Sequence, residues 1–194
     1  DAPGITVTDV YDKIGNRGSD TGLLFFDDVR VPVGNTIGDP NRGFQQQMMQ
    51  FQDERMIAAY QMVGAVEQAL GRTVEYLRDR QAFGAPLLAN QSLQYELADI
   101  AAELDLNRHH NWAAVAAANR GEDITRHATV AKLKAARLAR RMADVAVQYH
   151  GGMGYVEENW PARFYRDTRL WSIGGGADEV MLRTLARMNG IAGD

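Results

Sequence analysis

The sequence contains no cysteine. It therefore has no disulfide framework, no thiolate metal site and no cysteine nucleophile, and its fold must be held by its core. It also lacks the basic excess of a nucleic-acid-binding domain: 21 Lys and Arg stand against 25 Asp and Glu, a net charge of -4. No apolar run approaches the roughly 18 residues of a spanning helix, so no membrane insertion is expected. The opening Asp1-Ala2-Pro3-Gly4, followed by Ile5, Val7 and Val10, does not have a signal-peptide pattern. What is there is ordinary globular composition, 45% hydrophobic and 24% charged over 194 residues. That is enough for one good-sized domain, or one domain with part of another. A reducing cytosol is the default compartment for such a chain.

The first residues alternate as strands do. Ile5-Thr6-Val7-Thr8-Asp9-Val10 has the period-two pattern of a half-buried strand, and residues 22–31 form a second strand pattern, ended by Pro32. Gly15, Gly18 and Ser19-Asp20 supply turn residues between them. Two or three strands do not make a stable sheet alone. Residues 1–38 are therefore expected to be the C-terminal remnant of a β-domain, and residues 39–194 a helical domain.

After Gly43 the period becomes helical. Met49, Met56, Val63, Leu70 and Leu77 recur every seven residues, the first four followed three later by Gln52, Ala59, Val66 and Thr73. The spacing predicts one helix from about 43 to 80, roughly 57 Å long. Gly64 and Gly71 inside it are expected to mark close helix packing rather than breaks, because each costs about 1 kcal/mol against Ala. Gly84 and Pro86 end the element. Further helices are predicted over about 92–119, 124–149, 160–167 and 177–189. The fold class is mainly α, an antiparallel four-helix bundle.

Bundle cores hold metals through Glu-x-x-His pairs, and that spacing does not occur here. His109 and His110 are adjacent and share no helical face, and Asp105 with His109 reads as a surface pair. No metal site is expected. Of two glycine clusters, Gly151-Gly152-Met153-Gly154 and Gly174-Gly175-Gly176, neither has dinucleotide-fingerprint spacing. Gly151 reads as a helix C-cap, or as a place where backbone approaches a flat ligand. The 174–176 run feeds a helix whose first turn carries Asp178 and Glu179, and it offers free N–H groups to an anion or a carbonyl oxygen. Glu54, off the heptad seam in Phe51-Gln52-Asp53-Glu54-Arg55, reads from pattern as a solvated charge in a partly apolar setting.

Several stretches then stand in a recognisable order. They are Gly18-Ser19-Asp20-Thr21, Phe26-Asp27-Asp28-Val29-Arg30-Val31-Pro32, Gly43-Phe44, Glu54-Arg55, Arg80-Gln81-Ala82-Phe83-Gly84, Gln91, Val147 to Tyr155, and Tyr165-Arg166-Asp167. With them the sequence resembles the C-terminal part of the acyl-CoA dehydrogenases along nearly its whole length. The resemblance implies the last strands of a middle β-domain followed by a C-terminal four-helix bundle. It implies FAD-dependent oxidation of an acyl-CoA thioester to the trans-2-enoyl-CoA, with a carboxylate taking the α-proton. It also implies electron-transfer flavoprotein as electron acceptor, a homo-oligomer (dimer or tetramer), and a cytoplasmic or mitochondrial-matrix location.

One departure matters. Many members carry the catalytic Glu in the loop before the last helix, and that position here is Gly175. Isovaleryl- and certain long-chain-type members place it on the first long helix instead, which is Glu54 here. The resemblance thus implies Glu54 as the base. It places Phe51, Gln52, Arg55 and Gly176 near the acyl-pantetheine chain, with the N–H of Gly175 polarising the thioester. For FAD it implies Arg80, Ala82 and Phe83, then Gln91, then Gln148 with Gly152, and on the flavin side Ala177 and Glu179, several of them reaching a neighbour's cofactor. Ala177 replaces a Thr that contacts FAD in many members. Two other readings stay open: a non-catalytic relative used for assembly, which has no need of a carboxylate at position 54, and an acyl-CoA oxidase. The space left at Gly175 points to a branched or long acyl group.

Overall fold

The structure, a computed structural model, describes residues 2–191. Two short antiparallel strands open it, β1 (Ile5–Val7) and β2 (Leu24–Phe26), with Ile5 opposite Phe26 and Val7 opposite Leu24. Both are shorter than the strand patterns that predict them, and every residue of both is exposed. Half-buried strands are thus not found, because no second layer of described residues covers this ribbon. The ribbon is tied to the helices at its connecting loop. The Asn16 N–H donates to Asp167 Oδ1 at 2.6 Å, and a Cβ on Gly15 would stand 2.7 Å from the Arg166 carbonyl. Arg166 and Asp167 therefore serve a joint between segments.

Five α-helices follow among the described residues: α1 (Gly43–Asp79), α2 (Gln91–Asn119), α3 (Thr125–His150), α4 (Trp160–Thr168) and α5 (Asp178–Met188). Every end lies within one residue of the predicted range. A two-residue hairpin, β3 (Gln81–Ala82) with β4 (Ala85–Pro86), joins α1 to α2. Its turn residues, Phe83 and Gly84, sit at φ +54° and +83°, the left-handed pair that a tight hairpin needs. The sequence reading saw only terminators here. Asn90 caps α2 by accepting from the Ser92 N–H at 3.0 Å.

Helix directions follow from the cross-links. Tyr60 reaches the carbonyl of Asn111 while Arg108 reaches Glu67, so α1 and α2 are antiparallel. Arg141 binds Glu96, Asp99 and Glu103 while His110 meets the His127 carbonyl, so α2 and α3 are antiparallel. Arg137 pairs with Asp178 and Arg126 with Asn189, which runs α5 against α3. Met56, Ala59, Val66 and Leu77 of α1 meet Leu97, Ile100 and Leu104 of α2 and an alanine-rich stripe on α3. Each of the large side chains contributes roughly 1.5–3 kcal/mol by burial.

Two details of the α1 reading are corrected. Met49 is exposed, and the buried seam begins at Met56. Gly64 and Gly71 lie in an unbroken helix, yet a Cβ on either would meet nothing within 4 Å. They face open space rather than a close neighbour in this chain. The surface pair also differs in detail: His109 Nδ1 meets the Asp105 carbonyl oxygen at 2.8 Å, while the Asp105 carboxylate takes Arg108. Among the described residues no three His, Asp or Glu side chains form a metal-holding group. No described helix is long and apolar enough to cross a membrane.

α3 ends at Gly151, whose positive φ of +58° suits glycine and whose N–H closes the helix on the Gln148 carbonyl. The preceding His150 is buried, stacked on Tyr76 at 4.1 Å and met edge-on by Trp160 at 5.2 Å. Burial pushes its pKa below the ordinary 6.5, partly opposed by a bond with the Ala146 carbonyl. The unfolded chain therefore takes up this proton first as pH falls, so the stabilisation is present above about pH 6.5 and is lost through the folded pKa below it. His150→Phe keeps the stacking and removes the titration. Its melting temperature should fall less than that of the wild type between pH about 7 and about 5. Equal losses would contradict the assignment.

Candidate active site

Phe51, Gln52, Glu54 and Arg55 occupy neighbouring turns of α1 near its start. Arg55 reaches across to the loop before α5, where its Nε donates to the Gly175 carbonyl at 3.0 Å. Its guanidinium stands 5.8 Å from the Phe51 ring centre. Burial pushes the Arg55 pKa down, and the adjacent Glu54 carboxylate pushes it back up. A guanidinium stays charged in a protein. Glu54 itself is exposed and accepts from Gln50 Nε2 at 2.9 Å. Gln52 buries its Oε1 without a donor among the described residues.

The loop is shaped by its glycines. Gly175 and Gly176 have φ +67° and +110°, a region that L side chains seldom adopt. A Cβ on Gly175 would meet nothing within 4 Å, whereas one on Gly176 would stand 2.7 Å from Met181 Cε. From α3, Lys132 Nζ donates to the Gly176 carbonyl. Asp178, in the first turn of α5, is paired with Arg137 at 3.3 Å and Arg140 at 3.9 Å. A carboxylate there also suits the helix N-terminus. Among the described residues none accepts from the N–H groups of Gly175, Gly176 or Ala177. One end of the bundle thus offers unpaired N–H donors, a helix N-terminus and a carboxylate on α1. That set suits removal of a proton next to a carbonyl whose oxygen gains charge.

The residues expected at FAD divide. Ala177 and Glu179 open α5, at the Glu54 end. Arg80, Ala82 and Phe83 in the hairpin, Gln91 at the start of α2, and Gln148 with Gly152 at the end of α3 gather at the other end. Arg80, His150 and Met153 line one cleft there, and the Tyr76 hydroxyl reaches the His150 carbonyl at 3.4 Å. Along α1, residues 54 and 80 are about 39 Å apart, further than one dinucleotide extends. The chemistry of the second group fits a dinucleotide. Arg80 is an exposed cation, Phe83 presents a fully exposed ring, and Gly152 leaves its backbone uncovered. Gly154 is different: a Cβ there would collide with the Val147 carbonyl, so its role is the turn itself.

Sequence reasoning missed Lys132, and Asp178 with its two arginines. The available signal was a lysine inside the alanine stripe of α3, where Ala128 and Ala135 lie on the same face.

Residues 41–189 match the family model of the acyl-CoA dehydrogenase C-terminal domain. The Bacillus subtilis protein named probable acyl-CoA dehydrogenase YngJ is 39% identical over 187 residues, 96% of this chain and 49% of that protein. Human mitochondrial short-chain specific acyl-CoA dehydrogenase is 38% identical over 184 residues, 95% of this chain and 45% of that one. The solved structure of butyryl-CoA dehydrogenase from Megasphaera elsdenii superimposes with a TM-score of 0.92 at 36% identity, covering 96% of this chain and 49% of its own. This chain spans about half the length of the relatives it matches. The family-model match, the relatives and the helical architecture agree: the chain belongs to the acyl-CoA dehydrogenase family, residues 41–189 matching its C-terminal domain.

Proposed function

We propose that the intact protein oxidises an acyl-CoA thioester to the trans-2-enoyl-CoA, with residues 1–38 ending its β-domain and residues 39–194 forming the C-terminal domain. Glu54 takes the α-proton onto its carboxylate. The Cα–H electron pair becomes the second bond between Cα and Cβ, and the β-hydrogen departs with its two electrons. FAD, when bound, supplies the acceptor for that hydride, and electron-transfer flavoprotein is the expected acceptor in turn. The loop N–H groups at Gly175 and its neighbours hold the thioester oxygen as charge develops on it. Phe51, Gln52, Arg55 and Gly176 line the acyl-pantetheine path.

One observation carries this reading. Arg55, next to Glu54 in sequence, is bonded to the carbonyl of the glycine that leaves the usual base position empty. Carboxylate and oxyanion donors are thereby held at one end of the bundle. The open space at Gly175 suits a branched or long acyl group. The test is a screen of acyl-CoAs against the intact protein with an artificial electron acceptor. A yellow protein that bleaches with an acyl-CoA is expected, and one that no acyl-CoA bleaches would contradict the proposal.

The two groups of FAD residues at opposite ends of α1 fit a cofactor shared between copies. Arg80, Phe83, Gln91, Gln148 and Gly152 would then serve a partner's FAD, with Ala177 and Glu179 at the chain's own flavin. Self-association is expected even for this 194-residue chain, which exposes Phe83, Leu106 and Trp112. Light scattering at micromolar concentrations should give a dimer or tetramer, and a clean monomer near 21.5 kDa contradicts it.

A further inference from the structure

Lys132 has 1% of its surface exposed, among Ala128, Ala131, Ala135 and Ala139 on α3. A buried ammonium is costly unless it is paired and hydrogen-bonded. Burial pushes its pKa down, Asp178 pushes it up, Arg55 pushes it down and Glu179 pushes it up. A methionine would fill the same space without that penalty. Packing alone therefore does not account for a lysine here.

What it touches does. Its Nζ donates to the Gly176 carbonyl, as Arg55 donates to that of Gly175. The described residues contain no cis peptide. In a trans peptide the C=O and N–H point in opposite directions. Drawing these two carbonyls onto cations of the bundle turns the N–H groups of Gly176 and Ala177 away from those cations, to where no described residue accepts from them. Glycine peptides rotate with little steric resistance. A rotated 176–177 peptide would present a carbonyl oxygen where a donor belongs, and repel the charge it should stabilise.

We propose that Lys132 is a positioning residue: by holding the Gly176 carbonyl it fixes the 176–177 peptide so that the Ala177 N–H faces the thioester oxygen beside that of Gly175. This rests on the acyl-CoA dehydrogenation proposed above. The probe is an acyl-CoA with sulfur in place of Cβ, so that no hydride leaves, labelled with ¹³C at the thioester carbonyl. Infrared difference spectra of the intact holoenzyme should place that carbonyl stretch at lower frequency than in water. Lys132→Met should lose most of this displacement, and its single-turnover oxidation of a normal acyl-CoA should slow by about 10²-fold, the scale of a misplaced reacting geometry. A displacement in the wild type that Lys132→Met retains overturns the role of Lys132 and leaves the reaction standing. No displacement in the wild type overturns the reaction reading itself. Should Lys132→Met fail to fold, a crystal structure of the wild type with the same probe decides. Lys132 bonded to Gly176, with a loop N–H on the thioester oxygen, supports the proposal. A released Lys132, or N–H groups turned away, overturns it.

Discussion

Glu54→Gln in the intact enzyme should lower acyl-CoA oxidation by on the order of 10²–10⁴-fold, the range for loss of a general base. In barrier height that is about 3–5.5 kcal/mol. Gln is nearly isosteric and keeps the bond with Gln50 within reach, so folding, cofactor content and substrate affinity should stay near wild type. The effect should lie toward the upper end, because a C–H next to a thioester is a weak acid and Gln has no basic oxygen. With no carboxylate at position 175, no other side chain at the loop takes over. Stopped-flow flavin bleaching under single-turnover conditions checks this. Retention of more than about a tenth of the wild-type rate, with chemistry limiting, would remove Glu54 from the role.

Returning a carboxylate to the loop should restore part of what was lost. Gly175→Glu on the Glu54→Gln background should run about tenfold or more above Glu54→Gln alone, within the reach of a repositioned base. The substitution has space, since nothing stands within 4 Å of the new Cβ. It also has a cost, since φ +67° is left-handed and charges an L side chain roughly 1–2 kcal/mol. The carbonyl bond to Arg55 is a backbone contact and survives the change. The new side chain fills the space at Gly175, so recovery should be larger for short straight acyl chains than for branched or long ones. A folded double variant with no recovery on any chain would mean that the loop and Glu54 do not face the same carbon.

The helices were legible because burial imposes a period. Met56, Val63 and Leu77 mark one face of α1, and glycines punctuate the ends at 121 and 151. The ribbon was legible as strands but not as an exposed one, since alternation does not say whether anything covers the inner face. The 81–86 hairpin was missed because its turn places Phe83 in a conformation that a phenylalanine does not advertise. At the site, pattern alone gave an exposed glutamate and a glycine run. Only the family resemblance, which makes position 175 the usual place of the base and position 54 its alternative, joined them. Lys132 stayed hidden for a three-dimensional reason: its partner is a backbone carbonyl 44 positions away, and a carbonyl has no sequence signature.

The most direct measurement separates proton removal from electron transfer. The intact wild-type enzyme, given the acyl-CoA with sulfur at Cβ in D₂O, should exchange the α-hydrogens of the bound thioester for deuterium, read by mass spectrometry. Glu54→Gln should bind the same compound and leave those hydrogens in place. Exchange at the wild-type rate in Glu54→Gln would contradict the assignment of Glu54 as the base.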